Sequence, residues 1–282
     1  MENIAAVKGQ KRGKNLKEKI FPKTPQAGPG DVFGPVWLTD EPKEARSLLA
    51  SGECVAFVLT QENRGQDLSG ISWCFAPEEG VPWEQDPVRA IGQEELYRVW
   101  QRRKGLPWHI ADTKRLSLRE TVEEDGAILY EIQKDAQEAG FVEPLEADPA
   151  VRREKIRAYR SFVYGFYGFG IWTVFLRESG RVIGRAGLEI QEGSEDPFLG
   201  FVIHPRERRK GYAGEACRAV LEYGFAQLDL PVVRARVHRD NRASLRLCRK
   251  LGFRAEKEAP TPDSAWVDFL LRREDFSCSG IV

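Results

Sequence analysis

The 282-residue chain lacks several features that would settle its class at once. Its five cysteines, Cys54, Cys74, Cys217, Cys248 and Cys278, contain no CxxC pair. They also form no Cys/His cluster of zinc spacing, so no metal is expected. Their odd number and scatter exclude a disulfide framework and fit free thiols in a reducing cytosol. No apolar run approaches the ~20 residues of a membrane span. The first ten residues, MENIAAVKGQ, lack the apolar core of a signal peptide. A cytoplasmic protein without membrane contact is the expectation. Excess charge of either sign is missing too. The 43 acidic residues balance 43 basic ones, so whole-chain charge gives no preference for nucleic acid.

What the chain does contain is uneven along its length. Residues 1–30 carry seven cations against two acids and few large apolar residues. They read as a basic, disordered tail, leaving only weak electrostatic contact with RNA open as a role. Residues 31–112 read as a small α/β extension of unknown role. In it, PVWLTD and CVAFVLT are strand-like around the helical EPKEARSLLASGE, with Asp40 as the expected N-cap. Strand–helix–strand implies a parallel pair. The helix GQEELYRVWQRRKG ends at Gly105 and Pro107. Residues 113–282 read as the main α/β domain. It runs strand, two helices, a hairpin turning at Ser179-Gly180, the strand DPFLGFVIHP, helix, the strand VVRARVH, helix, and two last strands.

The stretch RRKGYAGEA, Arg208–Ala216, places three consecutive cations before a Gly-x-Ala-Gly turn at a helix start. A helix N-terminus offers unpaired N–H groups and partial positive charge, which together make an anion site. Neither a P-loop nor a dinucleotide fingerprint fits the spacing. Taken alone, the stretch is equally a charged helix start on a solvated face. Downstream, Asn241 follows a strand, Ser244 falls in the first turn of the next helix, and that helix ends in Leu251-Gly252-Phe253.

The ordered set Arg208-x-x-Gly211-x-Ala213, Asn241-x-x-Ser244 and Leu251-Gly252-Phe253 resembles the GNAT acetyltransferase superfamily over about residues 113–275. The wording WTVFLRESGRVIGRAGLEI…LGFVIHP…GYAGEA is most similar to the branch containing ribosomal-protein alanine N-acetyltransferases. The resemblance implies a GNAT fold: a mixed central sheet with splayed strands and flanking helices. It implies acetyl-CoA as co-substrate. The pyrophosphate would rest on the amides of Arg209, Lys210, Gly211, Ala213 and Gly214, with Arg208 and Tyr212 in the same loop and helix start. The pantetheine arm would lie along Phe201, Val202 and Ile203, with Asn241 and Ser244 beside it. Asn241 is equally a helix N-cap, and Leu251-Gly252-Phe253 a helix end running into a core strand.

Two departures bear on the chemistry. Many relatives place a tyrosine acid seven residues after the Asn. Here that position is Cys248, an acid if its thiol protonates the leaving sulfur and a packing residue otherwise. Many relatives also carry Glu two positions before the Gly of the central strand. Here Phe198 precedes Gly200. Glu189 and His204 remain as candidate bases, against an outward-facing and a structural reading respectively. Tyr164, Phe166, Tyr167 and Phe169 would lie near the acceptor, with core expected for half of them. The implied reaction is acetyl transfer to a primary amine. A protein N-terminus is the first choice, and a polyamine, amino acid or aminoglycoside the second. A coenzyme-A-binding module with little catalysis, and a monomer or a homodimer, stay open.

Overall fold

The computed structural model describes residues 18–20, 35–71, 73–77, 81, 86–138, 140–256 and 265–276. It divides into two units, Met1–Trp108 and His109–Val282. In the first unit the strands are β1 (Glu18–Ile20), β2 (Val36–Thr39), β3 (Cys54–Val58) and β4 (Cys74–Phe75). The helices are α1 (Pro42–Ala50), α2 (Pro87–Ile91) and α3 (Gln93–Arg103). The sheet order is β1-β2-β3-β4, with β2, β3 and β4 parallel as the strand–helix–strand pattern requires. Both faces of this small sheet are covered. Leu96 and Val99 of α3 pack with Val36, Leu38, Ala56 and Val58, while Ala45 and Leu48 of α1 pack with Val55 and Phe57. Burial on both faces is why β3 is apolar at every position.

Two expectations change here. Residues 18–20 of the supposed tail pair antiparallel with β2, Ile20 opposite Val36, and so cover an otherwise open strand edge. The rest of residues 1–30 lies outside the described residues, as does Cys278. Asp40 does not cap α1. The N-cap position is Glu41, without a side-chain cap bond. Instead the Thr39 hydroxyl accepts from the Glu41 N–H at 3.2 Å and donates to Glu44 at 2.9 Å.

The second unit contains β5 (His109–Asp112), β6 (Leu116–Arg119), α4 (Gly126–Glu138) and α5 (Pro149–Tyr159). A π-helical turn, Arg160–Tyr164, and a short α6 (Gly165–Tyr167) follow. Then come β7 (Ile171–Leu176), β8 (Val182–Ile190), β9 (Pro197–Ile203), α7 (Tyr212–Ala226) and β10 (Val232–His238). Last are α8 (Arg242–Lys250), β11 (Arg254–Ala255) and β12 (Trp266–Arg272). The eight strands run in the order β11-β12-β10-β9-β8-β7-β6-β5. β5, in the 31–112 segment assigned to the extension, pairs with β6 and belongs to this second sheet. All neighbours are antiparallel except β9 and β10, which are parallel.

One face of the sheet packs on α7, through Ala216, Cys217, Ala219 and Val220 against Trp172, Ile183, Leu188, Val233 and Ala235. Each fully buried large apolar side chain there contributes about 1.5–3 kcal/mol. The other face meets α4, whose Leu129 and Ile132 pack on Val202. Among the described residues no helix is long and apolar enough to cross a membrane.

Candidate functional site

β9 is held differently along its two edges. Toward β8 it stays in register from Ile190↔Pro197 to Gly184↔Ile203. Toward β10 only Phe198 and Arg234 pair. Beyond that point the strands part, so Phe201, Val202 and Ile203 have no registered partner on the β10 side. A split between parallel strands leaves backbone donors and acceptors along one edge, able to pair with an extended ligand as a further strand would.

The chain leaves β9 through a 3₁₀ turn at Pro205–Glu207 and enters α7 in a bent loop. Arg209 and Gly211 both take left-handed backbone, with φ of 64° and 84°. Gly211 is the N-cap of α7, and no side chain caps the helix. The N–H groups of Tyr212, Ala213 and Gly214 therefore lack intrahelical partners. The loop is braced from below. Glu207 accepts from Lys210 at 2.8 Å and from Arg181 at 2.8 Å. Those bonds, Lys210 first, hold its carboxyl below the usual range. Arg208 donates to the Ile203 carbonyl at 3.3 Å, tying the loop back to β9.

Arg115, which no sequence motif marks, fixes the same helix start from the β5–β6 turn. Its guanidinium donates to Glu215 at 2.7 Å and to the Lys210 carbonyl at 2.9 Å, and stacks 4.5 Å from the Tyr212 ring centroid. Glu215 also accepts from the Thr113 hydroxyl at 2.6 Å and the Arg115 N–H at 2.8 Å. Burial alone would raise the Glu215 carboxyl, but these bonds outweigh it and lower it. Their sequence separation of about a hundred residues hides them from local pattern reading.

Pairing also sorts the side chains by face, since directly opposed residues share one. Glu189 opposes Phe198, Gly187 opposes Gly200 and Arg185 opposes Val202. All six therefore lie on the α4 face. Glu189 stands beside the position where relatives carry their glutamate, one strand over. Its Oε1 is 3.8 Å from where a Cβ on Gly200 would lie. Among the described residues its carboxylate takes no hydrogen bond. Burial raises its pKa, Arg185 opposes that, and Glu143 adds to it. The two glycines are required for space: a Cβ on Gly187 would lie 2.0 Å from the Gly170 carbonyl oxygen.

Two tyrosines clasp the strand beside this carboxylate. The Tyr159 hydroxyl accepts from the Ile171 N–H at 2.9 Å, and the Tyr164 hydroxyl donates to the Ile171 carbonyl at 2.6 Å. Burial pushes the Tyr159 phenol up to about 12. From Tyr164 a buried chain continues through Thr121 and Thr173 to Asp125, which Arg119 grips with two bonds of 2.8 and 2.9 Å.

The remaining predicted residues separate. Asn241 caps α8, its Oδ1 accepting from the Ser244 N–H at 3.1 Å, so both sit at the helix start beside the end of β10. His204 caps the 3₁₀ turn, its Nδ1 accepting from the Arg206 N–H at 3.1 Å. Cys248 corrects an expectation. It is wholly buried in the core with Cys217, and burial pushes its thiol up to about 12. A thiol with no exposed surface and so little acidity packs rather than delivers protons. Tyr164 and Phe169 are core, whereas Phe166 and Tyr167 are exposed.

An α/β sheet opened along one parallel seam, with a bare helix N-terminus at the opening, defines an acyltransferase-type fold. The chain belongs to the GNAT acetyltransferases. The acetyltransferase (GNAT) domain model matches residues 115–254. Over 150 residues the chain is 31% identical to the uncharacterized N-acetyltransferase YnaD of Bacillus subtilis, spanning 51% of this chain and 82% of that protein. It is 28% identical over 151 residues to the uncharacterized N-acetyltransferase YoaA of the same organism, spanning 52% and 84%. The crystal structure of a probable acetyltransferase shares the fold with a TM-score of 0.52 at 19% identity, covering 60% of this chain and 99% of that one. The protein is thus an N-acetyltransferase of a family whose co-substrate is acetyl-CoA.

Proposed function

We propose that the protein transfers the acetyl group of acetyl-CoA to the α-amino group of a polypeptide, with Glu189 as general base. The observation that carries the coenzyme part is the conjunction at β9: a free strand edge leading to an uncapped, cation-rich helix start. An anion of two linked phosphates fits amides of Arg209 to Gly214, and Arg208, Arg209 and Lys210 supply charge. The free edge of Phe201–Ile203 fits an extended chain bearing amides, and Asn241 retains its side-chain N–H₂ for the same arm after capping α8 with its oxygen. Residues 31–112 and the basic tail have no part in this reading.

The acceptor part rests on Glu189. An α-ammonium has a pKa near ~8, against ~10.4 for lysine, so a raised carboxylate suffices to take its proton. The freed amine attacks the thioester carbon, and a β9 N–H at the open edge donates to the developing oxyanion. The tetrahedral carbon then expels the coenzyme thiolate, and the second amine proton leaves as the amide forms. His204 is kept in its structural part and Cys248 in packing.

The test is intact-mass detection of acetylation across a panel of peptides with free N-termini, the same peptides with blocked N-termini, and small amines. Acetylation of free N-termini alone supports the reading. Turnover confined to polyamines, amino acids or aminoglycosides would move the acceptor to that class. Coenzyme A binding without turnover on any amine would leave a binding module.

A further inference from the structure

The one large apolar patch that the fold leaves open among the described residues of the second unit lies after α5. Phe162 is 74% exposed, Phe166 81% and Tyr167 42%. Burying such rings is ordinarily the largest apolar gain a side chain offers, so three together on the surface mark a contact site. The π-helical turn Arg160–Tyr164 creates the arrangement. It sends Tyr164 fully inward to bond Ile171 and leaves Phe162, two residues earlier, outward. Single π turns inside helices occur mostly where function needs them. The patch continues toward Glu189 without a break. Phe166 meets Tyr167 edge-on at 4.9 Å, and Tyr167 meets Phe169 at 5.6 Å. One residue on, the Gly170 carbonyl accepts from the N–H of Leu188, the residue before Glu189.

We infer that Phe162, Phe166 and Tyr167 form the docking ridge for the polypeptide that follows the acceptor amine, which makes this a selector of chains over small amines. The inference rests on the reading of Glu189 as the acceptor-side base. A small amine would fill only the space over Gly187 and Gly200. An extended chain advances about 3.3 Å per residue, so roughly four residues carry it from the carboxylate to the exposed rings. An apolar side chain at about that point would settle on Phe162 and Phe166. The flanking helix sets the charge of the partner. Residues 149–160, PAVRREKIRAYR, hold five cations and one anion. Arg153 and Arg157 are exposed there, Arg157 bonding Glu123 across the surface. An acceptor with acidic residues beyond its apolar anchor therefore fits, and a second copy of this basic helix does not.

The experiment uses the full chain and synthetic peptides with one common N-terminal tripeptide. One peptide ends there. Two continue to twelve residues with an apolar anchor, one acidic and one basic beyond it. For the wild type, kcat/KM on the long acidic peptide should exceed that on the tripeptide by about tenfold, mainly through KM. In Phe162→Ser/Phe166→Ser this ratio should fall to near one, because uniform binding is what the ridge supplies. Fluorescence anisotropy of the long peptide with its N-terminus already acetylated should show the same loss of affinity, independently of turnover. A ratio unchanged in the variant, with long peptides still acetylated, overturns the ridge while the N-terminal reading stands. Failure of every peptide with turnover of small amines overturns both. Conversion of a dimer to a monomer in the variant, with peptide kinetics unchanged, assigns the rings to self-contact and also overturns the inference.

Discussion

Three helices of the second unit begin in different ways. At the start of α5, Asp148 accepts from the N–H of Ala150 at 2.7 Å and of Val151 at 3.1 Å. At α8, Asn241 accepts from Ser244. At α7 nothing does, and the chain arrives through left-handed backbone behind three cations. A side-chain cap is worth about 1 kcal/mol, and one was within easy evolutionary reach. α7 forgoes it and is instead braced from outside, by Arg115, Glu215 and the Glu207–Lys210 pair. The difference separates a helix that satisfies its own terminus from one that leaves N–H groups for a guest. The same division runs along β9, matched to β8 on one edge and released from β10 on the other.

The largest effect is expected away from the anion loop, at the carboxylate beside the released strand. Glu189→Gln should lower kcat by about 10²-fold or more with coenzyme A affinity intact, measured by steady-state kinetics and calorimetry. Its pH profile sharpens the point. Because burial raises the Glu189 pKa, the acid limb of kcat/KM should lie above the ordinary glutamate range, activity being lost as pH falls through that value, and the limb should vanish in the variant. Stability runs in the opposite sense. A carboxyl whose folded pKa is raised favours folding below its unfolded value, and that contribution is lost as pH rises through the folded one. Glu189→Gln should therefore match wild type in thermal stability at low pH and equal or exceed it near neutrality.

Next comes the bare helix start itself. Gly211→Asp sets a negative charge where an anion should sit, and coenzyme A affinity should fall by tenfold or more. Gly211→Asn has almost the same shape and tolerates left-handed backbone, so it isolates the charge. Both variants bring a Cβ to about 3.2 Å from the Arg115 Nη2, so a similar small stability cost is expected in each. If Asn and Asp weakened binding equally, charge at α7 would not be what selects the ligand, and the contrast with α8 would lose its meaning.

Asn241→Ala removes the cap that α7 lacks and should cost about 1 kcal/mol by chemical denaturation. Asn241→Asp restores the cap oxygen but not the N–H₂ group. A coenzyme A affinity that recovers with Asp would reduce Asn241 to a cap, whereas a persistent loss supports its double use. The smallest functional effect should come from Cys248→Ala. A cavity in the core should lower stability by about 1 kcal/mol while turnover stays within a few-fold. A loss near 10²-fold with affinity intact would return Cys248 to the chemistry.

The sequence by itself determined a good deal of this protein. Short-range pattern fixed β7 through β10 and the two helices after them, because apolar period and turn glycines act within a few residues. It placed Gly211 at a helix start and Asn241 as a cap for the same reason, the bonds spanning only three residues or so. Glu189 and Cys248 could be named but not ranked. Only the cross-strand register set Glu189 beside Phe198 and over Gly200, and only closure of the core on α8 took Cys248 out of reach of any proton acceptor. The pairing of β5 with the second sheet, the edge strand at 18–20, the Arg115 brace and the outward turn of Phe162 were likewise decided in three dimensions. Each depends on which distant strand or helix arrives as a neighbour, and a one-dimensional pattern records a residue's own preference but not its neighbour's identity.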